Sequence, residues 1–66
     1  MTDTGTALTV LLVEDNPADA ELVRELLGVS LRTRYQVHGA STFGAAVALV
    51  TSRRFDVVLM DLRLPD

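Results

Sequence analysis

Leu8 to Val13 is an apolar run broken only by Thr9 and rich in β-branched residues, a pattern that suits a strand buried on both faces. Asn16-Pro17 follows and predicts a helix start. Asn can accept from the orphan N–H groups of a first turn, and Pro fits the first helical position. Asp19 and Glu21 fall near the positive end of that helix dipole. Leu22, Val23, Leu26 and Leu27 recur at helical spacing, and Gly28 is the expected stop. Val29 to Arg34 reads as a loop, with Leu31 folding back onto the helix. Tyr35 to Ala40 alternates loosely and reads as a less buried strand. Ser41 or Thr42 then caps a second helix through about Ser52, with Phe43, Ala46, Val47, Leu49 and Val50 on its buried face and Gly44 weakening it slightly. Phe55 to Asp61 is the third strand, and Leu62 to Asp66 begins a loop. Residues 1–7 are polar and are expected to form a disordered leader. The order β-α-β-α-β predicts an α/β fold, a parallel sheet joined by right-handed crossovers and flanked by helices.

Composition narrows the chemistry. With 66 residues the chain makes at most one small domain, and 48% apolar content argues for a core and against disorder. No cysteine is present, so neither a disulfide framework nor a thiolate metal site can offset the small size. That absence fits a reducing compartment. The net charge is −3 and all six cationic residues are arginines; Arg32, Arg34, Arg53 and Arg54 read as solvated loop and helix-end positions. No basic field for nucleic acid results. No stretch approaches a signal peptide or the ~20 apolar residues of a membrane span, so a cytoplasmic location is the default expectation.

The informative positions are acidic. Leu11-Leu12-Val13 runs into Glu14-Asp15, and Val57-Val58-Leu59-Met60 runs into Asp61. In open parallel sheets, ligands bind beyond the carboxyl ends of the strands. If the first and third strands are neighbours, about 5 Å apart, the three carboxylates converge within reach of one cation. Like charges repel, so such a cluster is best explained by a hard divalent ion, most plausibly Mg²⁺, beside a carboxylate that accepts a phosphoryl group. Two carboxylates and a backbone carbonyl are a sensible protein share of an octahedral shell. The competing reading makes Glu14 or Asp15 a helix cap, but Asn16-Pro17 is the better cap and Asp61 repeats the strand-then-acid pattern. Asp56 reads as a surface or turn residue, and Asp66 says little about the chemistry. His38 reads as a partly buried or solvated histidine rather than a ligand, and Ser41 and Thr42 as caps rather than nucleophiles.

Rival α/β chemistries fit poorly. A dinucleotide site needs glycines where Glu14-Asp15-Asn16 stands. A Walker loop is absent, as is lysine. The haloacid dehalogenase pattern wants a second aspartate two residues past the nucleophile, where Arg63 stands. A metal-dependent hydrolase acting on an external substrate lacks a second basic or nucleophilic group.

Val10 to Asp19 (VLLVEDNPAD) resembles the opening of a response-regulator receiver domain of two-component signalling. Phe55 to Asp66 (FDVVLMDLRLPD) resembles that family's third strand and phosphorylation loop, so the likeness covers roughly residues 8–66. It implies the first half of a flavodoxin-like doubly wound fold. It further implies that Asp61 is the phosphoacceptor, attacking the phosphohistidine of a histidine kinase or phosphotransfer protein. Asp15 would bind Mg²⁺ directly, Glu14 directly or through water, and the backbone carbonyl of Arg63 would complete the protein ligands. Such a module is a signalling acceptor and not an enzyme. The family's fourth strand carries a Ser or Thr that binds the phosphoryl group, and its fifth a lysine. Neither falls within these residues, so 8–66 is expected to be a partial receiver, truncated after its third strand. An exposed sheet edge would follow, inviting self-association or an interaction role without phosphorylation.

Overall fold

The computed structural model describes residues 6–30 and 32–61. Five elements follow one another: β1 (Thr6–Val13), α1 (Pro17–Gly28), β2 (Thr33–Ala40), α2 (Phe43–Ser52) and β3 (Val57–Met60). They build one parallel three-stranded sheet of order β2-β1-β3, the α/β arrangement expected for part of a flavodoxin-like receiver fold. β1 begins at Thr6, so Thr6 and Ala7 belong to the strand and not to a leader. The remainder of that expectation, residues 1–5, lies outside the described residues, as do Leu31 and residues 62–66.

β1 is the central strand, and its apolar residues are buried on both faces. Val10, Leu11, Leu12 and Val13 are buried, and each has a partner on both sides: Val10 pairs with Val37 and Val57, Leu11 with His38 and Val58, Leu12 with Gly39 and Leu59, Val13 with Ala40 and Met60. Register partners in a parallel ladder point to the same face. Leu11 and Val13 pack with Ala40 and Ala46, joined by Leu49 and Phe55, beneath α2. Leu12 lies on the opposite face, towards Val23 of α1.

Local chemistry sets both helix starts. Asn16 is the N-cap of α1, its side chain accepting from Ala18 and Asp19 N–H, and Pro17 takes the first position. Thr42, not Ser41, caps α2 through the Ala45 N–H at 3.1 Å. Gly28 is the last residue of α1 and does not form a left-handed stop; Val29 caps the helix in right-handed conformation. β3 is shorter than expected because Phe55, Asp56 and Asp61 flank the strand instead of joining it.

Burial differs from expectation at the periphery. Val23 and Leu27 of α1 are half-buried, but Leu22 and Leu26 are exposed, the latter by 63%. On α2, Ala46 is buried and Leu49 half-buried, whereas Phe43, Val47 and Val50 are exposed. All four residues of β3 remain 36–46% exposed. Among the described residues β3 is the edge strand, paired with β1, and α1 and α2 leave open space beside its faces.

Candidate functional site

Glu14, Asp15 and Asp61 meet at the carboxyl end of the sheet. The β1–β2 ladder continues one step past Val13, with Glu14 N–H donating to the Ala40 carbonyl at 2.9 Å. The β1–β3 ladder does the same, with Asp61 N–H donating to the Val13 carbonyl at 3.0 Å. Strand pairing therefore fixes both main chains before any side chain is considered. Each acid contributes a carboxylate oxygen, and these oxygens lie within 4.8 Å of one another; Glu14 and Asp61 are half-buried and Asp15 is exposed.

Such a donor set suits a hard cation. Around Mg²⁺, with ligands at 2.0–2.1 Å, opposite oxygens stand about 4.2 Å apart. Adjacent ligands stand about 2.9 Å apart, so carboxylate oxygens within 4.8 Å of one another would reach one ion by closing inward or through a water on one of them. All-oxygen, anionic ligation without histidine or thiolate favours magnesium-like ions over zinc.

Glu14 feels the charge of its acidic neighbours. The Asn16 N–H, donating to Glu14 Oε2 at 3.2 Å, is the largest influence and pulls its pKa down. Desolvation, the charge and hydrogen-bonding carboxyl of Asp61, and the charge of Asp19 act in the other direction and together prevail. Glu14 therefore titrates above its ordinary value of 4.5. A bound cation reverses this balance by favouring the ionised form.

Beneath the acids, Leu12, Val23, Leu59 and Met60 join Glu14 and Asp61 around an open cleft of about 300 Å³. The cleft thus has an apolar floor and an acidic rim. Arg63 lies outside the described residues.

The remaining polar residues read from the sequence lie elsewhere. His38 is half-buried, its ring edge-on to Phe55 at 5.7 Å, and Arg53 stacks over the same phenyl ring at 5.8 Å. Asp56 is more than a surface residue. Its Oδ2 accepts from Thr9 N–H and its own N–H donates to the Thr9 carbonyl, both at 2.8 Å, so it extends the β1–β3 pairing at the end opposite the acids. An aspartate just before a short strand was the available signal, but its partner, 47 residues earlier, was not. Among the described residues, no helix is long and apolar enough to cross a membrane.

Comparison with known proteins agrees with this layout. The response regulator receiver domain family matches residues 10–66. A sensor histidine kinase, AruS of Pseudomonas aeruginosa, is 44% identical over 59 residues, which cover 89% of this chain and 6% of that protein. A probable transcriptional regulatory protein, TcrX of Mycobacterium tuberculosis, is 38% identical over 65 residues, or 94% of this chain and 25% of that protein. The chain thus spans a quarter or less of the length of these relatives. No solved structure matches it. Both receiver motifs fall inside the matched span, and the strands that bear them are adjacent in one parallel sheet; the chain belongs to the response regulator receiver domain family.

Proposed function

We propose that the chain is a phosphoacceptor module of a two-component phosphorelay, receiving a phosphoryl group on Asp61 from a histidine kinase or phosphotransfer protein with Mg²⁺ bound nearby. The observation that carries this reading is the convergence of the Glu14, Asp15 and Asp61 carboxylates within 4.8 Å at the strand ends of a receiver-family sheet. Asp15 and Asp61 would hold the ion, Glu14 would join directly or through a water, and the Arg63 carbonyl would complete the protein share. A bound ion would supply positive charge against the transferring phosphoryl oxygens. The chain's residues do the rest. Asp61 offers a carboxylate oxygen for in-line attack, strand pairing holds that oxygen in place, and the half-buried setting limits competing water. The new bond is an Asp61 acyl phosphate, and the donor's nitrogen leaves with the electron pair. The module acts as an acceptor and not as an enzyme turning over an external substrate, and we place it in the cytoplasm, where such kinases act.

Incubation with Mg²⁺ and acetyl phosphate, followed by intact mass, tests this reading. One phosphoryl per chain is expected, lost in Asp61→Asn. Incorporation persisting in that variant would assign the acceptor elsewhere. For residues 1–66 alone, incorporation is expected to be slow or undetectable, because these residues include no lysine to neutralise the acyl phosphate.

A second reading rests on a separate observation. Leu11, Phe43, Ala46, Val47, Val50, Val58 and Met60 contribute to an apolar groove of about 150 Å³ between α2 and β3. With the side of β3 that has no strand partner among the described residues, it favours an assembly role in which the acidic cluster is inert. Mg²⁺ titration separates the two. Saturable binding lost in Asp15→Asn supports the acceptor; absent binding with concentration-dependent dimerisation supports assembly.

A further inference from the structure

We infer that Asn16 is the positioning residue for Glu14: its backbone N–H ties down one carboxylate oxygen, so that Glu14 meets the cation already ordered. The inference rests on the metal-binding reading above and assigns Asn16 a role beyond starting a helix.

Four restraints fix the direction of that N–H. The Asn16 side-chain oxygen accepts from Ala18 N–H at 2.8 Å and from Asp19 N–H at 3.2 Å. Its carbonyl accepts from Ala20 N–H at 3.0 Å. Pro17 disfavours helical geometry at the residue before it, and Asn16 sits accordingly at φ −96°, ψ 114°. With the residue locked to the start of α1, its N–H points back to Glu14 Oε2 at 3.2 Å. Glu14 is then held at both ends, its own N–H on the Ala40 carbonyl and its carboxylate on Asn16.

The consequence is specific to a glutamate. Its side chain has one more rotatable bond than aspartate, and a flexible ligand loses that freedom when the ion arrives. The Asn16 bond removes part of the freedom beforehand. It uses one acceptor site of a carboxylate that has about four, and with the Asp61 contact counted, sites remain for a cation or its waters. It also ties the site to α1, because whatever loosens the helix start loosens Glu14.

Mg²⁺ titration of the 66-residue chain, followed by amide NMR with helix content from circular dichroism, tests the inference. Asn16→Gly keeps an acceptable cap but frees the backbone; Mg²⁺ affinity should fall about 10-fold, the size of effect typical of groups that orient a metal ligand, while helix content is retained. Asn16→Ser, which restores a side-chain acceptor, should recover the affinity. In Glu14→Gln the Asn16 amide proton should shift more than those of Ala18 and Asp19. If the unmodified chain binds Mg²⁺ and Asn16→Gly binds it equally well, the positioning role is wrong and the metal reading stands. If the unmodified chain binds no Mg²⁺, both fall together.

Discussion

The Asp61 amide donates to the Val13 carbonyl at 3.0 Å, so the acid after β3 is tethered to the residue that immediately precedes Glu14 and Asp15. Forty-eight positions of sequence separation collapse into one ladder step. Side-chain flexibility therefore plays little part in bringing the acids together, and the backbone dominates.

Removing one carboxylate should weaken ion binding without unfolding the sheet. Asp15 is exposed, so Asp15→Asn is expected to change stability by less than about 0.5 kcal/mol and to raise the Mg²⁺ dissociation constant at least about 10-fold. Calorimetric titration and thermal melts on the same samples check both halves. An unchanged dissociation constant would remove Asp15 from the ion's ligands.

The pH dependence follows from Glu14, whose folded-state pKa lies above its ordinary 4.5. In the ion-free protein this group stabilises the fold most when protonated, below 4.5, and that contribution is lost as pH rises through the higher folded value. Mg²⁺ favours the ionised form, so the ion's stabilising effect should grow across the same window. Melting temperatures with and without Mg²⁺, from about pH 4 to about pH 7, should diverge upward, and Glu14→Gln should flatten the divergence. A Mg²⁺ effect independent of pH would contradict the assignment.

Asp56 should matter for the fold and not for the ion. Truncation in Asp56→Ala leaves the Thr9 N–H without its 2.8 Å partner and should cost about 1 kcal/mol. Asp56→Asn keeps an acceptor and should recover most of it. Chemical denaturation measures both, and Mg²⁺ affinity should be unmoved in either.

Two glycines should differ in their response to a methyl group. A Cβ at Gly44, inside α2, meets nothing within 4 Å, so Gly44→Ala is expected to stabilise by about 0.5–1 kcal/mol. At Gly39 the added carbon would lie 2.6 Å from Arg24 Nη2. That atom ends a flexible side chain and can swing towards solvent, so Gly39→Ala should be tolerated. A loss above about 1 kcal/mol at Gly39 would show that Arg24 is held there more firmly than its exposure suggests.

The apolar periphery predicts association. Val50 is half exposed on α2 beside Val58 and Met60. Sedimentation of the 66-residue chain should show concentration-dependent oligomers, reduced in Val50→Glu. A strictly monomeric chain at all concentrations would end the assembly reading.

Much of this organisation was legible in the residues. Asn16-Pro17 marked the start of α1, the Leu8–Val13 run marked a doubly buried strand, and two strand-then-acid boundaries marked the site. These signals are local, depending on dihedral preference, orphan N–H groups and period. Partners distant in the chain were not legible: the Asp56–Thr9 pair, and the Asn16 N–H turned back onto Glu14. Nor was the exposure of Leu26, Val47 and β3, because periodicity records which face is apolar and not whether anything covers it.

The amino-acid order alone determined the five elements, their alternation and the identity of the three acids, because each follows from short-range preferences and hydrophobic period. Tertiary structure alone decided that β1 lies between β2 and β3, and hence that Asp61 stands beside Glu14 and not across the sheet. Strand order is a property of long-range pairing, which no local residue pattern encodes. The chemistry available to the carboxylates depends on that order.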